Sequence, residues 1–228
     1  MRTFFVLAVY IVLGVMPFAA SETSEPVPAD TTEAGFVSLF NGADLTGWTG
    51  DKVGYRAEDG ILLADPLGNL YTEAEYGDSI LRFEFKLTPG ANNGIGIRVP
   101  QNGKASQEGM EIQILDDTAE KYAEVKPWQH HGSVYGIIPA KTGYLKPVGE
   151  WNEEEILVQG TRVRVVLNGT VIVDADLAPF RDGAPTPDGK EHPGLKRERG
   201  HISLAGHKTK LSFRNLRIKP LEESAPTP

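Results

Sequence analysis

From Phe36 onward, apolar and polar residues alternate along most of the chain. In "SILRFEFKL", Leu81, Phe83, Phe85 and Leu87 fall on one face and Ile80, Arg82, Glu84 and Lys86 on the other. A period of two predicts a half-buried strand. "RVRVVLNGTVIVDADL" predicts a hairpin, because Asn168-Gly169 supplies the positive φ angles of a tight turn. Asn168-Gly169-Thr170 also spells a glycosylation sequon, but the turn explains the triplet better. "GHISLAGH" and "KLSFRNLRIK" are expected to form a closing strand pair. Helical spacing is nearly absent; "DDTAEKYAEVKPWQ" predicts at most a short helix or turn, stopped by Pro127. Many strands separated by turn clusters, with no internal repeat, predict an all-β fold, an antiparallel sandwich of two sheets.

In a sandwich each strand buries one face, and the other meets solvent or a ligand. "GMEIQILDD" raises that choice sharply. Met110, Ile112 and Ile114 form an apolar face, while the reverse begins with Glu111 and Gln113. In "NNGIGIRVP", Ile95, Ile97 and Val99 share one face, leaving Gly94, Gly96 and Arg98 on the other. Glycine weakens a strand interior and often marks a place where something approaches the backbone closely. Gly94 and Gly96 are therefore expected to clear a ligand floor, with Arg98 as a cation at its edge. A carboxylate and an amide on the neighbouring strand suit vicinal sugar hydroxyls, since each offers paired acceptors or donors.

"KPWQHHGSVYGIIP" concentrates chemistry. As a strand it would place His131, Ser133 and Tyr135 on one face and His130 on the other, so at most one of the adjacent histidines serves a given site. Imidazole is the acid or base best matched to neutral pH. Trp151 caps the core or stacks on a sugar ring. His207 and Lys208 lie in the turn between the last two strands, where loops often carry function.

Composition narrows the partners. The 228-residue chain suits one domain and carries a formal charge of −8 with no basic run. Phosphate binding needs clustered Lys and Arg, so nucleic acid is excluded, and anionic membrane surfaces are disfavoured. Residues 1–20, "MRTFFVLAVYIVLGVMPFAA", join an early Arg to an apolar run with a small-residue end, the pattern of a secretory signal peptide. The expectation is export to the periplasm or beyond, with no stable membrane insertion after the signal is removed. There are no cysteines, so neither a lipidated Cys nor a disulfide is available. Residues 21–34 read as a disordered linker, 35–222 as the folded domain and 223–228 as a disordered tail.

Taken in order, "FVSLFNGADLTGW", "NNGIGIRVP", "GMEIQILDD", "VYGIIP", "KPVGEWNEEEILVQG", "VRVVLNGTVIVDADL" and "ISLAGHKTKLSFRNLRIK" resemble the bacterial 3-keto-disaccharide (3-keto-glycoside) hydrolase family. The resemblance runs from Phe36 to about Leu221 and implies a concanavalin A-like, laminin-G-like jelly roll. "ISLAGH" departs from the family's usual run there: His207 is kept, but a neighbouring Gln and Asp are absent.

The chemistry so implied is cleavage of a 3-keto-glycoside. A C3 ketone acidifies the C2 hydrogen; its removal lets the enolate expel the group at C1, and water adds later. Such a site needs a base, an enolate stabiliser and a leaving-group donor. For these roles the sequence offers Glu111 or His131 as base, Arg98 for the oxyanion, and His207 or Tyr135 as donor; the resemblance supports the positions and the roles are read from the chemistry. Gln113, Gly94, Gly96 and Trp151 complete the expected substrate contacts. No cofactor is required. No EF-hand or His-x-x-x-His pattern occurs, so a divalent metal would have to use Glu111, Asp116 or His131. Two rivals share the fold. A laminarinase-like glycosidase would need a second carboxylate beside Glu111, and Gln113 occupies the place of its central acid. A non-catalytic sugar-binding module would need neither His131 nor His207.

Overall fold

The computed structural model describes residues 34–65 and 68–221. The expected signal peptide, the linker apart from its last residue, and the tail lie outside the described residues. Among the described residues, no helix is long and apolar enough to cross a membrane.

Thirteen strands form two antiparallel sheets. The first sheet contains β1 (Val37–Ser38), β3 (Tyr55–Glu58), β4 (Ile61–Ala64), β6 (Ser79–Leu87), β9 (Trp151–Gln159), β10 (Arg162–Leu167), β11 (Thr170–Asp176) and β13 (Leu211–Pro220). Its order is β11-β10-β9-β6-β13-β4-β3, with β1 also on β13. The second sheet runs β2 (Trp48–Gly50), β5 (Leu70–Tyr76), β12 (Gly200–Ala205), β7 (Asn92–Val99), β8 (Met110–Leu115). Two one-turn helices, α1 (Ala105–Glu108) and α2 (Ala178–Arg181), sit in connections. This is the antiparallel two-sheet sandwich expected from the alternation, in the jelly-roll form that the family resemblance implies.

The core lies between the sheets. From β6 it takes Leu81, Phe83, Phe85 and Leu87, opposed by Ile95 and Ile97 of β7 and Ile112 and Ile114 of β8. The β10–β11 turn uses the expected residues: Asn168 and Gly169 have φ of 49° and 82°. The Asn168 amide donates to Tyr144 O (2.8 Å) and to Asn152 Oδ1 (2.9 Å), so both of its hydrogens serve the turn.

The last two strands are not a pair. β12 lies between β5 and β7 in the second sheet, whereas β13 lies between β6 and β4 in the first. The segment from Gly206 to Lys210 therefore crosses from one sheet to the other. Thr209 Oγ1 anchors this crossing to β7 through Asn92 N (2.9 Å) and O (2.7 Å), and the Asn93 amide donates to Ala205 O at 3.1 Å.

Residues 116–129 form two short 3-10 turns, Glu120–Tyr122 and Pro127–Gln129, instead of a helix. Asp116 organises their start. Its carboxylate accepts from Gly90 N (2.7 Å), Thr118 N (3.0 Å) and Thr118 Oγ1 (2.6 Å). Burial pushes the Asp116 carboxyl upward, but these hydrogen bonds outweigh it and hold it below the ordinary carboxylate value of 3.8. A lowered value in the folded state means that the stabilisation is present at neutral pH. It fades as pH falls below about 3.8 and through the folded-state value. Asp116→Ala is expected to lower stability by about 3 kcal/mol at neutral pH, because it strands a buried N–H and removes a charged acceptor. Denaturant unfolding at pH 7 and pH 3 checks this: the gap between wild type and variant should shrink at the lower pH.

Candidate active site

β8 is an edge strand, yet all six of its residues are buried. Its outer face is covered by α1 and by Tyr122, Val125, Gln129 and Tyr135 of the loop that follows it. Under this cover lies a cavity of about 170 Å³, bounded by Asn92, Ser106, Glu111, Gln113, Leu115, Tyr122, Val125, Gln129, Tyr135 and His207. The polar face of "GMEIQILDD" is therefore the wall of a cavity and not a solvated surface.

Glu111 and Gln113 are only 6% and 4% exposed. Neither side chain forms a hydrogen bond with the described residues. His207 Nε2 lies 3.8 Å from Glu111 Oε1, a contact that is an ion pair only when the imidazole is protonated. The His207 side chain is 49% exposed and stands at the rim, where the inter-sheet crossing carries it. A buried polar group normally finds a hydrogen-bond partner, so two side chains that lack one among the described residues and face one cavity suit a polar ligand.

Gly94 and Gly96 pair with Gln113 and Glu111 across the β7–β8 ladder. They do clear space, but for the protein's own side chains. A Cβ on Gly94 would stand 2.1 Å from Glu111 Oε1 and 2.7 Å from its Cγ and Cδ. A Cβ on Gly96 would stand 2.1 Å from Ser203 Oγ, 2.6 Å from Val99 Cγ2 and 2.8 Å from Ala105 Cβ. The first glycine thus makes room for Glu111 to lie across β7, and the second lets α1 and Ser203 close over the sheet.

Arg98 departs from the expected face. Between Gly96 and Val99 two residues of β7, Ile97 and Arg98, stand opposite one of β12, Ile202, and Arg98 has φ of +53°. This bulge turns Val99 outward, beside Gly96, and sends Arg98 away from the cavity. Its guanidinium meets Asp78 Oδ1 (2.6 Å), Gly160 O (3.0 Å) and Arg197 O (3.2 Å). Burial pulls the Arg98 guanidinium below its ordinary value, against the Asp78 carboxylate, which raises it. Arg98 is a strut between sheet edges.

His131, Ser133 and Tyr135 do not share a strand face. Gly132 and Gly136 have φ of +77° and +80°, which breaks the alternation, and only isolated bridges at Val134 remain. His131 enters the core, with its ring 5.0 Å from that of Phe85 and its Nε2 2.9 Å from Glu154 Oε2. Tyr135 turns to the cavity. Its backbone N–H donates to Glu111 O at 2.9 Å. Its Oη accepts from Gln129 Nε2 at 3.1 Å, while Gln129 Oε1 accepts from Lys126 N at 3.0 Å. The Tyr135 hydroxyl thus keeps its own proton to donate. Trp128 packs edge-on against the Tyr135 ring at 5.3 Å.

Trp151 belongs to neither cavity nor core. It lies on the outer face of the first sheet between Lys86 (4.9 Å) and Arg214 (4.2 Å). Of the expected residues, the structure brings together Glu111, Gln113, Tyr135 and His207, with Gly94 beneath. His131, Arg98 and Trp151 are elsewhere.

The wall also contains residues that were not singled out. Asn92 was readable, since a period of two places it on the face of Gly94. Gln129 lay inside the stretch already marked as chemical. Tyr122 reaches the wall from a 3-10 turn and left no periodic signal.

The proposed metal ligands do not converge. Asp116 is engaged by Gly90 and Thr118, and His131 lies in the core. Among the described residues, no group of three or more His, Cys, Asp or Glu side chains is placed to hold a metal ion.

A jelly-roll sandwich with a small polar cavity on one sheet, holding a single carboxylate, defines the class. Residues 35–219 match the 3-keto-alpha-glucoside-1,2-lyase-like domain, and the chain belongs to that family. It is 26% identical to a protein of Bacteroides thetaiotaomicron named 3-keto-disaccharide hydrolase, over 90% of this chain and 84% of the other. A candidate glycosyl hydrolase of Parabacteroides distasonis superposes with a TM-score of 0.73 at 29% identity, over 82% of this chain and 99% of its own. The exoplasmic/lumenal domain of VIP36 shares the fold alone, with a TM-score of 0.51 at 12% identity, over 84% of this chain and 91% of its own.

Proposed function

We propose that this protein cleaves 3-keto-glycosides by elimination, and that Glu111 is the base. The observation that carries the proposal is that Glu111 is the one acid among the residues bounding the cavity. Retaining hydrolysis needs two carboxyl groups about 5–5.5 Å apart, and inverting hydrolysis two at about 6.5–9.5 Å. Asp116, the acid that follows directly after β8, is committed to Gly90 and Thr118. A single buried carboxylate suits removal of an acidified C–H proton. The family, and the name carried by the Bacteroides relative, support a glycoside-acting enzyme.

The Glu111 carboxylate takes the C2 proton, and the C–H electron pair forms C2=C3 with charge on O3. The Gln113 amide and the Tyr135 hydroxyl are the neutral donors for that oxygen. Collapse of the enolate forms C1=C2 and expels the C1 oxygen with its aglycone. His207, at the open rim where a departing group would leave, supplies its proton. Addition of water across C1=C2 then gives the free 3-keto sugar. The chemistry uses only this chain's residues, and export would bring the enzyme to oligosaccharides outside the cytoplasm.

Purified protein is expected to turn over a 3-keto-glucoside and to leave the parent, unoxidised glucoside intact. Turnover of the parent would indicate hydrolysis by paired carboxylates, and saturable binding without turnover of either compound would indicate a binding module. Within this scheme His207→Ala is expected to lower kcat by about 100-fold on a substrate with an alkoxide leaving group. The loss should be much smaller on a nitrophenyl 3-keto-glucoside, whose leaving group needs no proton. Equal losses on both substrates would remove His207 from the acid role.

A further inference from the structure

The inward face of β9 carries an anomaly. Its buried positions are Asn152, Glu154, Ile156 and Val158, two polar residues where core residues belong. Asn152 is satisfied, because its Oδ1 accepts from Lys146 N at 2.8 Å and from the Asn168 amide at 2.9 Å. Glu154 is not: neither carboxylate oxygen has a hydrogen-bond partner. It faces His131 Nε2 at 2.9 Å, a contact that is an ion pair only when the imidazole is protonated, and Nε2 is likewise without a hydrogen bond. The side chains are 1% and 0% exposed. A buried polar pair with unfilled hydrogen bonds is a poor stabiliser, since the cost of desolvating it offsets the attraction gained. An apolar pair would serve the core better, which asks what else the pair does.

Its position suggests an answer. His131 lies in the segment that lays itself along the open edge of β8. Gly132 N donates to Gln113 O (2.8 Å), Gln113 N to Ser133 O (3.0 Å) and Tyr135 N to Glu111 O (2.9 Å). Leu115 N donates to His131 Nδ1 at 3.4 Å, and His131 N donates to Asp117 Oδ1 at 3.1 Å. Gln129 and Tyr135, two residues of the cavity wall, thus flank His131 on a segment with no regular secondary structure. Inside the core the imidazole stacks near Phe85 and meets the Glu154 carboxylate.

We propose that His131 and Glu154 are positioning residues for the cavity. Through their 2.9 Å contact they hold the segment from Gln129 to Tyr135 against β8, and so fix the Tyr135 hydroxyl relative to Glu111. The kinetic part rests on the elimination reading above, whereas the structural part does not.

The test combines amide exchange with kinetics on the full chain. In the His131→Phe/Glu154→Leu double variant the ring can still stack on Phe85, and no buried charge remains. The expected result is a melting temperature equal to or above that of wild type, with faster exchange at the Gly132 and Tyr135 amides. On a 3-keto-glucoside, kcat should fall by about 100-fold, the usual result of a small misplacement of reacting groups. Should the double variant fail to fold, Glu154→Gln keeps the shape and removes only the charge; it should show the same accelerated exchange and a kcat about tenfold lower. Wild-type exchange at both amides in a folded variant overturns the proposal. If wild type turns over no 3-keto-glucoside, the elimination reading fails and the exchange data still decide whether the pair positions the segment.

Discussion

Glu111→Gln is expected to fold normally and to lose about 10²–10⁴-fold in kcat on a 3-keto-glucoside, the usual cost of removing a general base. The substitution keeps volume and hydrogen-bonding capacity, so circular dichroism and melting temperature should match wild type. The carboxylate is 6% exposed and accepts no hydrogen bond from the described residues, so its loss strands no partner in the fold. A folded variant with near-normal kcat would return the polar face of β8 to a structural role.

The next largest effect is expected at a residue with no functional group. Gly94→Val should lower kcat by about 100-fold or more, because a Cβ there would stand 2.1 Å from Glu111 Oε1 and drive the carboxylate off its present position. Gly94 has no positive φ, and a β-branched residue suits a strand, so the backbone tolerates the change. Gly96→Val should behave in the opposite way. Its new atoms meet Ser203, Val99 and Ala105, which are packed and cannot all retreat, so overpacking should cost about 1–3 kcal/mol. Melting temperature and kcat measured on both variants separate the two roles. If Gly94→Val keeps full turnover, Glu111 does not act from the position seen here.

The sandwich was legible because alternation is a local record of a buried face. "SILRFEFKL" repeats the burial of β6 residue by residue. The wall of the cavity was legible for the same reason at Glu111 and Gln113, where polar residues face away from an apolar run. Alternation failed where the backbone leaves its regular path. The bulge at Arg98 reversed the expected facing of both Arg98 and Val99, and a positive φ at Arg, unlike at Gly, leaves no mark in a sequence. Gly132 and Gly136 were visible in "HHGSVYG" and argued against a strand there; reading through them put His131 in the site and left it out of the core. The pairing of β12 with β7, and not with β13, depends on sheet topology, which no local pattern encodes. That crossing brings His207 to Glu111.

The central claim is that a carboxylate removes the C2 proton of an oxidised sugar. The measurement that tests it most directly is the rate of cleavage of a 3-keto-glucoside carrying deuterium at C2, compared with the protiated compound, under conditions where chemistry limits turnover. The account predicts a primary isotope effect on kcat in wild type, and with protiated substrate in deuterium oxide it predicts a product labelled at C2. Equal rates for the two compounds, with a product that gains no deuterium from solvent, would contradict it, because glycosidic hydrolysis by displacement at C1 leaves the C2–H bond intact.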